Sequence, residues 1–568
     1  MILTPIDKLF EYLSANKKVS LTQIAKDLNW KERSLERVVG ILEYAGFLSI
    51  RYSINPLGKT QVELKTELKK EESKEPTGKL ISEYTVEGKN QDLLAKVEIL
   101  KGIDIRPTYL IHLPEFTEQT LAYIESVKTD ISAATFGEIP EEDIYKSIAS
   151  KLEQDLPIKK EDMSVICNYI LREMYGLGDL DILISDKQLE EIVVNSSESS
   201  IAVYHRQFGW LRTNVFVGDE EDISNVSAQI ARKIGKQINV LTPILDAHLK
   251  TGDRVNATLS PISSAGNTIT LRLFSRDPWT VVSFIRSKTF SSDLVSLLWQ
   301  AIHYEMNVIV GGGTGSGKTS SLNSLLALIP SYQRIITIED TREIVLPKYQ
   351  WNWIPMVTRT PNPEGLGEVT MLDLVVNSLR MRPDRIIMGE IRRKKEAEVL
   401  FEAMHTGHSV YGTIHANTGS QIIKRLIEPP IEIPPSEVED ITLVLVQYRD
   451  RRSNLRRALE VSEVIPGTEI PKINQVYRWR PRTDTFESVK TPNRYYEELN
   501  LHTGMTQNEI LSDQKDKQEV LEWMLKHNLD NINKVGLVMK NYYSDSSDLI
   551  NSIHKKYTPQ KLFGDELS

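Results

Sequence analysis

A chain of 568 residues is too long for one ordinary hydrophobic core, so several domains are expected, each able to bury a core of its own. Its 40% apolar and 26% charged residues exclude collagen-like repeats and wholesale disorder, and a net charge of −9 gives no overall attraction to nucleic acid or anionic lipid. The single cysteine, Cys167, excludes a disulfide framework and a cysteine-rich zinc site, and reads as core filler in a helix over 165–174. No apolar run approaches the roughly 20 residues of a membrane helix, and the first ten residues lack the basic start and long apolar stretch of a signal peptide. The chain is therefore expected in the cytoplasm unless a partner recruits it.

Apolar spacing predicts helices over 6–14, 21–28 (with Ser20 as N-cap) and 34–45, then a strand over 47–52. With a hairpin over 52–64 turning at Asn55, Pro56 and Gly58, residues 1–64 resemble a winged helix-turn-helix module. Lys31, Arg33 and Arg37 would face DNA, but Glu32 and Glu36 interrupt that surface, so docking of a protein is the favoured role. Residues 65–80 are charge-dense with almost no apolar side chains and read as a linker. Strands are predicted over 81–86, 96–100 and 109–112, and helices over 118–127, 141–153 and 162–174. A strand-rich region over 182–274 follows, with strands 189–194, 200–204, 254–259 and 268–274 and a helix over 222–234. Arg254 and Arg272 sit on its last two strands, where a lone arginine is by default solvated or salt-bridged.

The chemistry begins at residues 307–330, NVIVGGGTGSGKTSSLNSLLALIP. A short apolar strand runs into glycines and then into an apolar-periodic helix, and Gly312, Gly317, Lys318 and Thr319 satisfy the G-x-x-x-x-G-K-[ST] phosphate-loop pattern. Glycines let backbone N–H groups close around phosphate oxygens, and the helix start adds its positive dipole end. Lys318 would reach the β and γ phosphates, and the Thr319 hydroxyl would ligate Mg²⁺ shared with them. Downstream, a strand over 334–338 ends in Glu339 and Asp340, with Glu343 close behind, and another over 384–388 ends in Gly389 and Glu390. A carboxylate at the end of a buried strand beside the phosphate loop suits polarising a water for in-line attack on the γ-phosphorus. Asp373, Asp384 and Glu396 read instead as caps or surface charges.

His408 and His415 flank a strand over 409–414, at its opposite ends; with no cysteine or third histidine nearby they suit hydrogen bonding to phosphate better than metal. Residues 433–435 and 441–448 lead into a basic run, 449–457, broken by Asp450, for which a solvated hairpin is preferred over a nucleic-acid contact. A hairpin of 475–479 with 485–489 and helices over 515–526, 532–543 and 547–555 complete the chain.

The segments GGGTGSGKTSS, ITIEDTRE, RPDRIIMGEIRR and TGHSVYGTIHAN resemble, in order and spacing, the Walker A, Asp-box, Walker B and His-box motifs of secretion-superfamily ATPases. These power type II and IV secretion, type IV pili and archaella. Upstream, LEEIVVN, VYHRQFGWLRTN, PILDAHLKTGDRVNATLSP and TITLRLFSRDPWT are similar to that family's nucleotide-capping domain, notably in the archaeal and tight-adherence branch. The resemblance implies an α/β fold: a RecA-like phosphate-loop ATPase core with an α+β nucleotide-capping domain, the winged-helix module and a helical C-terminal extension. The expected boundaries are 1–64, 65–80 (linker), 81–177, 178–280 (capping), 281–465 (ATPase core) and 466–568.

Carried over by residue, ATP and Mg²⁺ would be held by Gly312, Gly313, Thr314, Gly315, Ser316, Gly317, Lys318, Thr319 and Ser320, with Thr319, Glu339 and Glu390 near the metal. Glu390 would be the catalytic carboxylate, Glu339 would assist water or metal, His408 and His415 would lie near the nucleotide or a subunit interface, and Arg254 and Arg272 would reach phosphate on domain closure. Expected partners are other copies in a homo-hexamer and a polytopic membrane platform protein that would hold the ATPase at the membrane, with no zinc and no nucleic acid. A DNA-translocating or DNA-regulating ATPase using the winged helix is the alternative. Arg393 stands where many members carry Asp after GEIR, so any role of that acid is absent.

Overall fold

The computed structural model describes residues 3–16, 18–51, 60–65, 78–88, 93–102, 106–113, 115–134, 141–249, 251–274, 277–361, 365–450, 452–453 and 455–567. Most of the expected wing hairpin (52–59), most of the linker (66–77) and residues 451 and 454 of the basic run lie outside the described residues. The chain forms two compact units, Met1–Leu249 with Arg254–Leu273, and Lys250–Asp253 with Phe274–Ser568.

In the first unit, helices Pro5–Ala15, Leu21–Asp27 and Glu32–Tyr44 pack with a small antiparallel sheet of Val19–Ser20, Gln61–Leu64 and Leu48–Arg51. Thr4 and Asp7 close a capping box at the first helix, and Ser20 caps the second, as its sequence position predicts. These helices do not bury their apolar faces alone. Ile6, Leu9, Leu35 and Val38 share one core with Tyr123, Ile148, Cys167 and Ile170 from helices Glu118–Ala134, Glu141–Asp155 and Lys160–Tyr175. The helix that would face DNA in the alternative reading is likewise occupied. Just before it, Trp30 Nε1 donates to Asp155 O at 2.7 Å; on it, Ser34 Oγ donates to Gln154 O at 2.6 Å and Arg37 pairs with Asp155 at 2.8 Å.

Strands expected in two regions, 81–177 and 178–280, form one nine-stranded sheet among the described residues. Its order is Ile244–His248, Arg254–Thr258, Thr268–Arg272, Leu189–Val194, Ala202–His205, Gly209–Thr213, Thr108–His112, Leu93–Lys101, Lys79–Glu87. Thr108–His112 runs parallel to Gly209–Thr213, and the Asn214 side chain clamps both backbone groups of Ile111 at 2.9 and 3.0 Å.

The second unit is built on another nine-stranded sheet, ordered Trp353–Val357, Ile335–Glu339, Arg385–Met388, Ser409–Ile414, Val308–Gly312, Leu443–Arg449, Arg456–Ile465, Lys472–Arg480, Thr485–Ser488. The first six are parallel and the last three antiparallel. The central parallel strands are buried along their whole length, which explains their unbroken apolar runs. Residues 466–568, expected as an extension, continue this sheet and its core: Trp523, Leu521 and Val538 pack in one cluster with Trp299, Leu322 and Leu325. Lys517, wholly buried, is held there by Asp513 and the Tyr542 hydroxyl, with the rings of Trp299, Tyr304 and Tyr542 5.4–5.7 Å away. Among the described residues no helix is long and apolar enough to cross a membrane.

Candidate active site

The central strand Val308–Gly312 delivers the glycine loop to the carboxyl edge of the parallel sheet, where open α/β sheets bind ligands. Gly315 and Gly317 have φ of +69° and +93°, so the loop needs glycine there to turn and start the helix Lys318–Leu326. Ser316 Oγ closes the turn on Gly313 O at 2.8 Å. Lys318 is only 8% exposed. Its Nζ donates to Gly313 O at 3.1 Å and stands 3.4 Å from His415 Nδ1.

Parallel pairing decides which chemistry meets this loop. Gly311 is in register with Ile414, so His415, next in the chain, arrives beside the loop. His408 precedes the same strand and stays at the opposite edge of the sheet, where its Nδ1 faces Thr406 Oγ1 at 3.1 Å. It does not join the phosphate loop of its own chain. Met388 pairs with Gly412 one strand further out, and Glu390 follows. Glu390 Oε1 is 3.2 Å from His415 Nε2, and Oε2 accepts from Arg392 at 2.8 Å; Arg392 also donates to Asp340 Oδ2 at 2.6 Å. A continuous line thus runs Lys318–His415–Glu390–Arg392–Asp340. Lysine can only donate, so His415 Nδ1 accepts and its Nε2–H points at Glu390, the neutral tautomer. Burial, then Lys318, holds its pKa below the ordinary histidine value. Half-burial pushes Glu390 upward, but the Arg392 hydrogen bond and charge, with His415 and Lys318, outweigh it and keep the carboxylate below its ordinary range. Burial also lowers the Lys318 pKa, against the pull of Glu390 and Glu343.

Glu339 ends its strand pointing inward. Oε1 accepts from Glu343 N at 2.9 Å and Ile344 N at 3.1 Å, while Oε2 is buried with no partner. Burial, only partly countered by those two N–H groups, pushes its pKa to about 7. Its folded pKa is above the unfolded one, so ionising it in the native state costs stability that accumulates as pH rises from the ordinary glutamate range to about 7. Glu339→Gln keeps an acceptor for both N–H groups without the charge. Its melting temperature should exceed the wild type's at about pH 8, with the gap closing toward about pH 5. A gap independent of pH would assign the ionisation elsewhere.

Among the described residues no three His, Cys, Asp or Glu side chains converge to hold a metal ion alone. The oxygen donors present, the half-buried Thr319 hydroxyl at the helix start and the Glu390 carboxylate, suit a hard divalent ion only if phosphate oxygens complete its shell. The acids expected to be structural behave so: Asp373 closes a capping box with Thr370, and Asp384 accepts from Arg334 N at 2.6 Å. In the first unit, Arg254 is paired bidentately with Asp246 at 2.7 and 3.0 Å, and Arg272, its cross-strand partner, lies in register with Glu191.

Arg392 went unnoticed in sequence, although its place two residues after Glu390 was a usable signal. The basic run is a correction. It is not simply solvated, since Arg457 is buried against Asp484 at 2.8 and 2.9 Å and Arg449 and Arg456 lie against the phosphate loop.

Residues 184–447, which contain the phosphate loop, Glu339, Glu390 and both histidines, match the family described as type II/IV secretion system protein. The uncharacterized protein MJ0900 of Methanocaldococcus jannaschii is 31% identical over 425 residues, covering 73% of this chain and 75% of its own. MJ0781 of the same organism is 39% identical over 304 residues, 52% of this chain and 40% of its own length. The type IV secretion system protein VirB11 of Bartonella quintana is 29% identical over 277 residues, 43% of this chain and 76% of its own.

Proposed function

Because the chain belongs to the type II/IV secretion system protein family, we propose that it is a motor ATPase, hydrolysing ATP to ADP and phosphate to drive a secretion or filament-assembly machine. The observation that carries this reading is the line from Lys318 through His415 to Glu390, which sets a phosphate-binding cation and an ionised carboxylate on either side of one imidazole. Lys318 and the loop N–H groups bind the phosphates, Thr319 holds Mg²⁺ together with them, and Glu390 orients the water whose oxygen attacks the γ-phosphorus. When bound, the ion neutralises phosphate charge. Glu339 stands by as a carboxyl group of near-neutral pKa for water or metal. Arg254 and Arg272 are assigned to the phosphates on the family resemblance.

By the same reading the working form is a cytoplasmic homo-hexamer, held at the membrane by a polytopic platform protein and using neither zinc nor nucleic acid. The helices and small sheet of residues 3–65 act as a winged-helix protein-docking module. Its helix Glu32–Tyr44 is already tied to Asp155, which speaks against the DNA reading. Titration of ATP and ADP onto the intact chain, with phosphate release measured in parallel, tests the proposal. Lys318→Ala should weaken nucleotide affinity by about tenfold or more, since a charge-assisted contact to phosphate is lost. Unchanged affinity would contradict the assignment of the loop.

A further inference from the structure

Glu390 can orient a water only if its own carboxylate is held in place. Ile391, next in the chain, is buried and donates its N–H to Thr413 O at 2.8 Å, so the backbone here is fixed and the Glu390 and Arg392 side chains meet on the outer side of it. Strand register brings a second acid level with them. Ile338 pairs with Met388 on the neighbouring parallel strand, so Asp340 and Glu390 each stand two residues past the same rung. Arg392 bridges the two: Nη2 donates to Glu390 Oε2 at 2.8 Å and Nη1 to Asp340 Oδ2 at 2.6 Å. Asp340 is anchored in turn at the outermost strand of the sheet, Trp353–Val357. Thr358, the residue after that strand, sends its N–H to Glu339 O at 3.0 Å and its hydroxyl to Asp340 Oδ1 at 3.3 Å.

Stability does not account for this bridge. The side chains of Arg392 and Asp340 are 55% and 43% exposed, and an ion pair that open to water contributes little to folding. Geometry does account for it. A guanidinium is planar and its two terminal nitrogens keep a fixed spacing, so with Nη1 on Asp340 the position of Nη2 decides where Glu390 Oε2 can lie. An ionised carboxylate accepts at about four sites, two on each oxygen. With Arg392 on Oε2 and His415 beside Oε1, each oxygen keeps one site for water. We propose that Arg392 is a positioning residue for Glu390, and that Asp340 acts through it as the fixed point against which the guanidinium is set. This deepens the nucleotide-hydrolysing reading and rests on Glu390 orienting the attacking water. The effect of both residues reaches the reaction only through the Glu390 carboxylate, so their loss lowers kcat and leaves ATP binding alone.

The experiment uses the full chain as wild type, Arg392→Met, Arg392→Lys, Asp340→Asn and Glu390→Gln, with Arg392→Met and Asp340→Asn each also combined with Glu390→Gln. ATP affinity, kcat for phosphate release and the melting temperature are measured for each. Methionine keeps most of the apolar stem and removes the fork. Arg392→Met should lower kcat by about tenfold or more, with ATP affinity within about twofold of wild type and the melting temperature close to it. Arg392→Lys should regain part of the loss, since one ammonium still reaches a carboxylate but cannot hold two at a set spacing. Asp340→Asn should lower kcat in the same direction by less, about threefold. Beside Glu390→Gln neither substitution should cost anything further, because the group they position is already lost. If Arg392 served the γ-phosphate directly, Arg392→Met would weaken ATP binding and keep its cost beside Glu390→Gln, and Asp340→Asn, by removing a competing anion, would leave kcat unchanged or raise it. Any of these results overturns the inference. So does wild-type kcat in Arg392→Met, or a loss of kcat that follows a fallen melting temperature and that lysine does not restore. All of them leave the nucleotide reading intact. Glu390→Gln at wild-type kcat would remove Glu390 and the inference with it, and a wild-type chain that releases no phosphate from ATP would overturn both readings.

Discussion

Glu390→Gln is expected to bind ATP with near wild-type affinity and to hydrolyse it ~10²-fold more slowly or worse. Binding should survive because the substitution leaves the scaffold alone. Gly389 N donates to Ile338 O at 2.8 Å and Thr413 Oγ1 donates to Gly389 O at 2.5 Å, so hydrogen bonds between the Gly389 backbone and the two neighbouring strands hold this turn, whatever side chain follows. Lys318 keeps its own tie to Gly313 O. Glutamine matches glutamate in size and offers one acceptor oxygen, but not two. In the wild type both carboxylate oxygens are engaged, one by His415 and one by Arg392, and the ionised form is favoured. With a neutral amide, one of those donors faces another N–H, and the negative charge that orients water toward phosphorus is gone. Phosphate release at near wild-type rate, with ATP bound, would remove Glu390 from the chemistry.

What could be read from sequence follows how local each feature is. The phosphate loop is a contiguous string whose residue types are dictated by backbone geometry, and the strand Ser409–Ile414 has its predicted limits because glycine and histidine bound an apolar run. The same string could not show which of His408 and His415 meets the loop, since that depends on the parallel register of a strand about 100 residues upstream. Trp353–Val357 went unread because Pro355 and the flanking polar residues resemble a turn, and it is tolerated as the outermost strand of the sheet. Domain boundaries placed at changes of composition missed two shared cores. Ile6 and Ile148 are separated by more than a hundred residues, yet they lie in one buried core, and no periodicity within either segment records it. Arg449 and Arg456 were hidden for the same reason: a basic residue looks solvated until the strand beside it is known.

Arg385→Leu should destabilise the second unit's sheet rather than slow its chemistry. This arginine begins the strand Arg385–Met388 and is 0% exposed. Its guanidinium is a hub. Nε donates to Gln333 Oε1 at 2.9 Å, Nη1 to Ser409 Oγ at 2.9 Å and to the Tyr411 hydroxyl, and Nη2 to Ile302 O at 2.8 Å. These partners come from three places: the turn before Ile335–Glu339, the strand Ser409–Ile414, and the end of the helix Ser292–His303. The nearest carboxylate, Glu305 at 3.8 Å, is half exposed, so the neutral acceptors carry most of the cation's compensation. Leucine would relieve the buried charge but strand a carbonyl, an amide oxygen and two hydroxyls in an apolar interior. Each lost acceptor costs about 1–3 kcal/mol, with partial rescue between Ser409 and Tyr411, which already hydrogen-bond each other at 3.0 Å. A net loss of about 3–5 kcal/mol is expected, comparable with breaking a buried ion pair and a large share of a typical domain's stability. Lysine keeps the charge but cannot present the fork, so Arg385→Lys should also destabilise, by less. Chemical denaturation monitored through the second unit's tryptophans measures both. Unfolding midpoints within error of wild type for Arg385→Leu would show that the surrounding groups re-pair among themselves, and that the hub is dispensable to the fold.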